Sequence, residues 1–507
     1  MSRELDLKPL LRVSVPLLGT LAMAAFIRFS ELDALPIDRL WESYSRWLLN
    51  VLTIRDSWTY VPQLAPRAVM GWLPLFQYLS MAAMAFSSNY RIEPLRLTNV
   101  FLALITIVAV YFSVWKVFNS QWQAIVSALV LAVQPWHIDY SATASDRILL
   151  GLLIVALTYA MFAGKVKLFA GLAILTLFTA YEGWFIVPLE MALGFAMGRW
   201  TRKQLALFGI ISVSTACTWM TWNAVALGSP FYFINDYLES SGYVFALDVG
   251  GLTFYLVLAT AMTSGLFLIG LTATLVRKTS SPRSSLRALA IVIVAYIGLY
   301  SIVHCIGFEV GDLTGRIVPI LPLVAVTVSF VFPTFPAKRR RQLLVGALLL
   351  AMLAVSYYAQ ISIGPRKVYA ILPEQRVGDQ LRTVYKSGRV ICDLPAVIYY
   401  SGLDPSIFVS SSSISEDTGN LSASSLEELF HVNQIRFVVW ENVTASRLPK
   451  ILPMLGESVD YQPSSYVLGS VQFTLVYEDS FATGRWEHDP SFAGPPSIFI
   501  FQVDLQS

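Results

Sequence analysis

The chain has 507 residues, of which 55% are hydrophobic and only 14% are charged, and its mean hydropathy is +0.60. An average soluble domain carries about 25% charged residues, so this composition excludes an ordinary soluble enzyme and a disordered chain. The net charge of +3 divides into +9 over residues 1–360 and −6 over residues 361–507. We therefore expect a membrane part, an acidic water-facing part and no nucleic-acid partner.

Apolar runs in the first 360 residues predict membrane helices, because a spanning helix needs about 20 apolar residues. Eleven runs predict spans, near residues 10–28, 98–116, 121–137, 148–164, 166–181, 183–198, 205–222, 253–275, 288–306, 315–333 and 343–360. We interpret the shorter run at 71–86 as a helix that does not cross. A crossing there would place every later loop rich in Lys and Arg on the outer side. The N-terminus is then predicted to be cytoplasmic and the C-terminus extracytoplasmic.

The predicted outer side carries a long first loop, residues 29–97, and the C-terminal segment, residues 361–507. Hydrophobic alternation in that segment predicts three strands, at 435–440, 473–477 and 498–503. Two helices are predicted there, at 374–385 and 426–430. We expect two domains: a transmembrane domain, 1–360, and a small α/β or α+β extracytoplasmic domain, 361–507. The three cysteines have neither a disulfide framework nor zinc-site spacing.

The acidic residues of the membrane part are unevenly distributed. Fourteen of its 17 Asp and Glu residues fall on the predicted outer side. Acids contribute little to topology, so the asymmetry indicates use of carboxylates at the outer face. Solvation of the outer loops is the alternative interpretation of any single acid.

Short motifs with Pro, aromatic and charged residues follow one another at predicted outer ends of spans, at 31–38, 72–79, 134–146, 181–184 and 315–322. Their order, spacing and side of the membrane resemble the GT-C superfamily of membrane glycosyltransferases, which use polyprenyl-phosphate-linked sugars. The similarity is greatest to protein O-mannosyltransferases, dolichyl-phosphate-mannose mannosyltransferases and lipid A aminoarabinose transferases. It covers residues 1–360, and the C-terminal segment weakly.

The resemblance implies a catalytic acid in the first outer loop. The motif at 32–38 leads to Asp38, but Arg39 stands where the family has a second acid. Asp33 and Glu31 therefore stay open as alternatives for the catalytic base. The acid that the family carries in its second outer loop corresponds to Asp146.

The resemblance also implies donor and substrate contacts. Arg316, ahead of a Pro-x-x-Pro run, corresponds to the arginine near the lipid phosphate, and Arg96 is a second candidate for the phosphate. The candidate substrate contacts are Trp72, Tyr78, Asp139 and Glu182. Transfer from a phosphate donor needs a base for the acceptor hydroxyl and positive charge for the departing phosphate. The alternatives are an interfacial anchor for Arg316, and for Asp146 an ion pair with Arg147 or a helix cap.

These features predict an inverting glycosyltransferase that moves a sugar, with mannose as the leading candidate, from a polyprenyl- or dolichyl-phosphate donor. The acceptor would be a hydroxyl-bearing protein, glycan or lipid at the outer or lumenal face. Asp38 and Asp146 have the hard oxygen ligands that could share a divalent cation, Mg or Mn.

Three other functions are alternatives for this sequence. An oligosaccharyltransferase catalytic subunit has similar first-loop acids, but the WWDYG motif of that family is missing from the sequence. A secondary transporter would use an intramembrane acid such as Glu190, but the sequence has no paired halves. A catalytically inactive scaffold would account for Arg39.

Overall fold

The computed structural model describes residues 7–33, 35–55, 73–86, 90–232, 250–263, 265–276, 283–306, 314–331, 354, 358, 367–368, 373–411, 423–441, 465–468, 470–480 and 497–505. The chain divides into two compact units. The first consists of Met1–Arg39, Gly71–Ser87 and Glu93–Lys367, and the second of Leu40–Met70, Ser88–Ile92 and Val368–Ser507. The second unit thus combines parts of the predicted first outer loop with the C-terminal segment. Trp72 and, apart from residues 354 and 358, the predicted span at 343–360 lie outside the described residues.

The first unit is helical. Its helices are α1 (Leu7–Ser30), the start of α2 (Ile37–Arg55), α3 (Pro74–Ala85), α4 (Glu93–Phe118), α5 (Gln121–Ala132), α6 (Pro135–Ser141), α7 (Arg147–Phe162), α8 (Val166–Leu177), α9 (Gly183–Ala196), α10 (Arg202–Leu227), α11 (Gly251–Met262), α12 (Leu266–Val276), α13 (Arg283–Cys305) and α14 (Leu321–Ser329). Short 3-10 helices cover Glu31–Asp33 and Val318–Ile320, and the two-residue strands β1 (Leu35–Pro36) and β2 (Lys367–Val368) pair. Apolar side chains of these helices form one buried core.

Three described helices, α4, α10 and α13, are long and apolar enough to cross a membrane. They become four if α11 and α12, which meet at a sharp bend, count as one span. Gly265 lies at that bend with a φ of +77°, a left-handed conformation that glycine adopts without strain. Six further apolar helices are shorter and overlap other predicted spans. The total of eleven spans stays a prediction.

Proline explains why the predicted run at 121–137 is not one helix. Pro135 lacks the backbone N–H that would continue α5, and α6 begins at this residue. The Gln134 side chain caps α6 by accepting a hydrogen bond from the Trp136 N–H at 3.0 Å. The chain therefore turns at this point, and the turn leads into the segment with Asp139 and Asp146.

The second unit contains a six-stranded mixed sheet. Its strands are β3 (Arg389–Cys392), β4 (Phe408–Val409), β5 (Ile435–Glu441), β6 (Ser465–Leu468), β7 (Val471–Ser480) and β8 (Ser497–Leu505), in the order β4-β3-β5-β8-β7-β6. Strand β3 pairs in parallel with β4 and β5, and the other pairs are antiparallel. The helices are α15 (Pro373–Val384), α16 (Pro395–Ser401) and α17 (Ala423–Val432), with a 3-10 turn at Pro405–Ile407. The strands and helices predicted from the sequence coincide with β5, β7, β8, α15 and α17.

The C-terminal part of α2 packs within this second unit. The Tyr44 hydroxyl lies 2.5 Å from the Tyr400 hydroxyl of α16, and the Trp47 ring meets the Tyr399 ring edge-on at 4.9 Å. Arg55 forms an ion pair with Asp404. Aromatic contacts and one ion pair therefore fix this helix against the C-terminal segment.

Candidate active site

Glu182 is the centre of a buried group of charges in the first unit. It precedes the first residue of α9 and is 6% exposed. One of its oxygens, Oε1, accepts hydrogen bonds from Arg147 Nη1, from the Tyr300 hydroxyl and, at 2.7 Å, from Arg316 Nη1. These donors come from α7, α13 and the turn before α14. We call Arg147, Glu182, Tyr300 and Arg316 the Glu182 cluster.

Close backbone packing explains how distant segments bring these side chains together. Gly151 lies one turn after Arg147 in α7, and a Cβ atom there would lie 3.3 Å from the carbonyl oxygen of Pro319. Gly183 allows an even closer approach, since a Cβ would lie 2.4 Å from the Thr176 carbonyl oxygen. The two glycines thus let α7 approach the turn after Arg316, and let α9 begin against α8.

The cluster holds Glu182 as a carboxylate. Burial by itself would raise the pKa of the Glu182 carboxyl, but the Arg147 and Arg316 guanidiniums and the Tyr300 hydroxyl outweigh it and hold this pKa well below its ordinary value. An ionised carboxylate that accepts three hydrogen bonds is a poor proton acceptor. Glu182 is therefore suited to holding the arginines and unsuited to acting as a general base at neutral pH.

Arg316 has hydrogen-bond donors that Glu182 does not use. Its side chain is 14% exposed, its Cζ lies 5.6 Å from the centroid of the Tyr300 ring, and Nη1 is the atom bonded to Glu182. Its Nε is buried and has no acceptor among the described residues. A guanidinium with one nitrogen engaged and another unsatisfied can still bind an anion.

Asp146 lies beside this cluster. It is the residue before α7 and is buried, and its Oδ1 lies 3.7 Å from Arg147 Nε. Its side chain makes no capping hydrogen bond to α7. Of the two structural alternatives for Asp146, the ion pair with Arg147 is thus the one observed. The pair adds a second negative charge to the two arginines.

The segment that carries Asp139 and Asp146 is held by side chains of α4. Arg96 donates through Nε to the Ala142 carbonyl at 2.6 Å, and Asn99 donates through Nδ2 to the Ser145 carbonyl at 2.7 Å. Asp139 is buried in α6. Arg96, a candidate for the donor phosphate, therefore contacts the backbone four residues before Asp146.

The other predicted site residues fall elsewhere. Glu31 is half-buried at the start of a 3-10 helix, and Tyr78 on α3 is exposed. The backbone of Asp33 ends that 3-10 helix and Asp38 is the second residue of α2, but their side chains are outside the described part of the chain, as is Trp72. The structure thus brings together Glu182, Arg316 and Asp146 from the predicted set.

Sequence reasoning missed Tyr300, and it named Arg147 only as an ion-pair partner of Asp146. Arg147 carries the same signal as Arg316, an arginine that opens an apolar run, and it follows Asp146 directly. Tyr300 lies inside an apolar run with no motif around it. Only the fold shows that its hydroxyl donates to Glu182.

The described residues offer no clear metal centre. Within them, no three His, Cys, Asp or Glu side chains lie close enough to hold a metal ion. The Asp146 carboxylate faces Arg147, a cation that would repel a bound metal. The side chain of Asp38, the other predicted ligand, lies outside the described part of the chain, so the shared Mg or Mn site stays a prediction and we derive no step through a metal.

Comparisons with known proteins establish the fold. No protein-family model matches the chain, and no curated protein matches it. Among solved structures, the chain is similar to ArnT from Cupriavidus metallidurans in the apo state, with 13% identity, a TM-score of 0.61, and coverage of 95% of this chain and 97% of that chain. The same protein bound to undecaprenyl phosphate gives 12% identity, a TM-score of 0.60 and equal coverage.

A second similarity is to the archaeal oligosaccharyltransferase AglB from Archaeoglobus fulgidus, solved with an inhibitory peptide and a dolichol-phosphate. The identity is 13%, the TM-score is 0.53, and the match covers 87% of this chain and 71% of that chain. ArnT and AglB are both membrane glycosyltransferases of the GT-C type. The resemblance predicted from the motifs is therefore confirmed at the level of architecture: the chain has a GT-C-type fold.

Proposed function

We propose that the chain is an inverting membrane glycosyltransferase, which moves a sugar from a polyprenyl-phosphate donor to a hydroxyl-bearing acceptor. The observation that carries this proposal is the Glu182 cluster, in which one carboxylate holds two arginines and leaves donors of Arg316 unsatisfied. Two structures with the same fold contain undecaprenyl phosphate and dolichol-phosphate. A polyprenyl phosphate supplies the kind of anion that the free donors of Arg316 would bind.

The reaction needs one bond formed and one broken. The acceptor oxygen attacks the anomeric carbon of the sugar, and the bond from that carbon to the phosphate oxygen breaks. The electron pair leaves with the phosphate, whose negative charge grows as the bond breaks. Arg316 donates hydrogen bonds to the phosphate oxygens, and Arg147 adds positive charge beside it. Such preorganised donors act mainly on the charge that develops in the transition state.

A base must take the acceptor proton, and the Glu182 cluster does not provide one. Glu182 is bound by three donors and Asp146 lies beside Arg147. We assign the base to the first outer loop, with Asp38 as the first candidate and Asp33 and Glu31 as alternatives. Asp38 is favoured because it lies at the start of α2, a helix that is anchored further along by Tyr44 and Trp47.

The charge pattern of the loops gives the proposed topology. Arg147, Glu182 and Arg316 lie at the N-terminal ends of α7, α9 and the segment leading to α14, all of which the positive-inside rule places on the outer side. The transfer then occurs at the outer or lumenal face, with a cytoplasmic N-terminus and an extracytoplasmic C-terminal segment. Mannose is the first sugar to test, and the acceptor is a protein, glycan or lipid hydroxyl.

A second candidate is an oligosaccharyltransferase catalytic subunit, which the similarity to AglB favours. Two observations place it behind the first. The sequence contains no WWDYG motif, and the match to ArnT covers nearly all of both chains whereas the match to AglB leaves 29% of that chain uncovered.

The direct test is to incubate the purified full-length protein with polyprenyl phosphates that carry labelled mannose, glucose or 4-amino-4-deoxyarabinose. We expect one donor to release sugar-free polyprenyl phosphate, and its identity gives the sugar. A polyprenyl-phosphate-linked oligosaccharide is included as a fourth donor, and its transfer to a peptide would instead support the second candidate. No release from any of these donors would contradict both.

A further inference from the structure

Asn223, near the C-terminal end of α10, has a buried amide nitrogen that is unpaired within the described part of the chain. Its side chain is 1% exposed, and Nδ2 has no acceptor among the described residues. Other polar side chains of this helix bond their own backbone, as Thr215 does to the Ile211 carbonyl at 2.8 Å. An unpaired buried amide costs folding free energy, because its hydrogen bonds to water are lost without replacement. Such a group calls for an explanation.

Asn223 lies on the face of α10 that meets the start of α9. Trp219 is one helical turn earlier on the same face, and its Nε1 donates to the Tyr181 hydroxyl at 3.0 Å. The Trp219 ring stacks on Trp222 with centroids 4.8 Å apart and planes at 11°. Tyr181 in turn packs edge-on against Trp184. Tyr181 immediately precedes Glu182, so this aromatic face adjoins the Glu182 cluster.

Resting on the proposed function, we propose that Asn223 is a specificity-determining residue that hydrogen-bonds a hydroxyl of the donor sugar. Arg316 and Arg147 bind the phosphate, and the aromatic side chains of Tyr181, Trp219 and Trp222 form the apolar wall of the sugar site. Small-molecule sites commonly combine such walls with a few convergent polar groups. An amide suits a sugar because it offers two donors and an acceptor to hydroxyl groups.

The decisive variant is Asn223→Leu, which removes the amide at similar volume. If Asn223 has only a structural role, this change removes an unpaired buried group, so the protein should be equally or more stable with normal turnover. If Asn223 binds the sugar, stability should again be maintained, but turnover of the preferred donor should fall. A site that loses a hydrogen bond to a substrate hydroxyl discriminates less well between sugars.

The test uses the purified full chain with polyprenyl phosphates carrying mannose, glucose or 4-amino-4-deoxyarabinose, and sugar-free undecaprenyl phosphate as the competitor. We expect Asn223→Leu to lower kcat/KM for the preferred donor about tenfold and to narrow its preference over the other donors. The inhibition constant of sugar-free undecaprenyl phosphate should stay within about twofold of wild type. The matched control is Thr221→Ala on the exposed face of α10, which should change neither quantity.

Two outcomes would contradict the proposal. Wild-type kcat/KM and donor preference in Asn223→Leu would overturn it, and so would an equal loss of affinity for sugar-free undecaprenyl phosphate. Should the leucine variant fail to fold, Asn223→Ala gives the same comparison. A wild-type protein that turns over none of the donors contradicts the proposed function itself, which is a separate result from an unaffected Asn223 variant.

Discussion

Two arginines of the first unit, Arg28 and Arg316, are held in different ways. Arg28 is fully buried in α1 and donates through Nη1 to the Ala132 carbonyl at 2.9 Å, at the C-terminal end of α5. Its Nη2 lies 2.8 Å from His137 Nδ1. Arg316 is partly exposed and bonds the carboxylate of Glu182 instead. Arg28 is thus compensated by backbone carbonyls at the negative end of a helix dipole, and Arg316 by a full negative charge.

The difference indicates different roles. Arg28 joins α1, α5 and α6, because its partners are the last turn of α5 and the His137 ring of α6. As Arg28 is a donor, His137 Nδ1 accepts and its proton lies on Nε2. His137 is itself buried. Arg28 therefore stabilises the fold, whereas Arg316 keeps donors that a ligand can use.

The largest effect is expected from substitution of Glu182. Glu182→Gln keeps the volume but leaves Arg147 and Arg316 without their shared counter-charge, and breaking a buried ion pair costs about 3–5 kcal/mol. We expect a strong drop in the free energy of unfolding, measured by chemical denaturation in detergent, and loss of donor turnover.

The matched control for this change is Glu190→Gln on the same helix. Glu190 is also buried, but its hydrogen-bond partner among the described residues is Thr158, at 2.5 Å, and not a cation. The expected cost is only about 1 kcal/mol. Equal losses in the two variants would show that the pairing of charge at Glu182 has no special importance.

The second effect concerns the proposed catalytic base in the first outer loop. Asp38→Asn should lower donor turnover by about 10²–10⁴-fold, because the amide cannot accept the acceptor proton. Thermal unfolding should be unchanged. Asp33→Asn and Glu31→Gln are the controls in the same assay, and near-normal turnover in Asp38→Asn would assign the base to whichever of them fails.

The third effect separates the two arginines. Arg28→Met retains apolar packing but leaves the α5 carbonyls without their donor, which should lower the free energy of unfolding by about 1–3 kcal/mol. Turnover per folded molecule should stay near that of wild type, because Arg28 does not bind the donor. A fall in turnover much greater than the fall in folded protein would place Arg28 in the catalytic machinery.

The smallest effect is expected at an exposed ion pair of the second unit. Arg55 and Asp404 side chains are 40% and 52% exposed, so Arg55→Ala should cost no more than about 1 kcal/mol. Hydrogen bonds from the Ser406 N–H and hydroxyl, and then Arg55, lower the pKa of Asp404 to about 2. A carboxyl group whose pKa is lower in the folded protein than in the unfolded chain stabilises the fold at pH values above its unfolded-state pKa. This contribution should therefore be lost as the pH falls from about 4 to about 2. Circular dichroism against pH checks this, and a loss near neutral pH would contradict it.

Much of the architecture follows from local sequence signals. Long apolar runs identify α4, α10 and α13, and hydrophobic alternation identifies β5, β7 and β8. The break between α5 and α6 could also have been predicted from the sequence, because Pro135 interrupts the run at 121–137. The bend between α11 and α12 could not have been predicted, because Gly265 lies inside a continuous apolar run and glycine alone does not end a helix.

The candidate site was predicted only as separate pieces. Motifs identified Glu182 and Arg316, but they lie 134 residues apart, and no local pattern shows that one oxygen of Glu182 binds both Arg316 and Arg147. That pairing depends on packing of α7 against the Pro319 turn at Gly151. Asn223 was missed for a related reason: one Asn in an apolar helix gains meaning only when its amide is seen to lack a partner.

The most direct test of the account is the release of polyprenyl phosphate by wild type, Arg316→Lys and Arg316→Ala, measured with the preferred donor. Lysine keeps the positive charge but loses the planar fork that binds two phosphate oxygens. We therefore expect a partial loss for Arg316→Lys and a loss of about 10²–10³-fold for Arg316→Ala, the range seen when a donor to transition-state charge is removed. Equal turnover by all three proteins, with Glu182 and the fold intact, would show that Arg316 is only an anchor and would contradict its role at the donor phosphate.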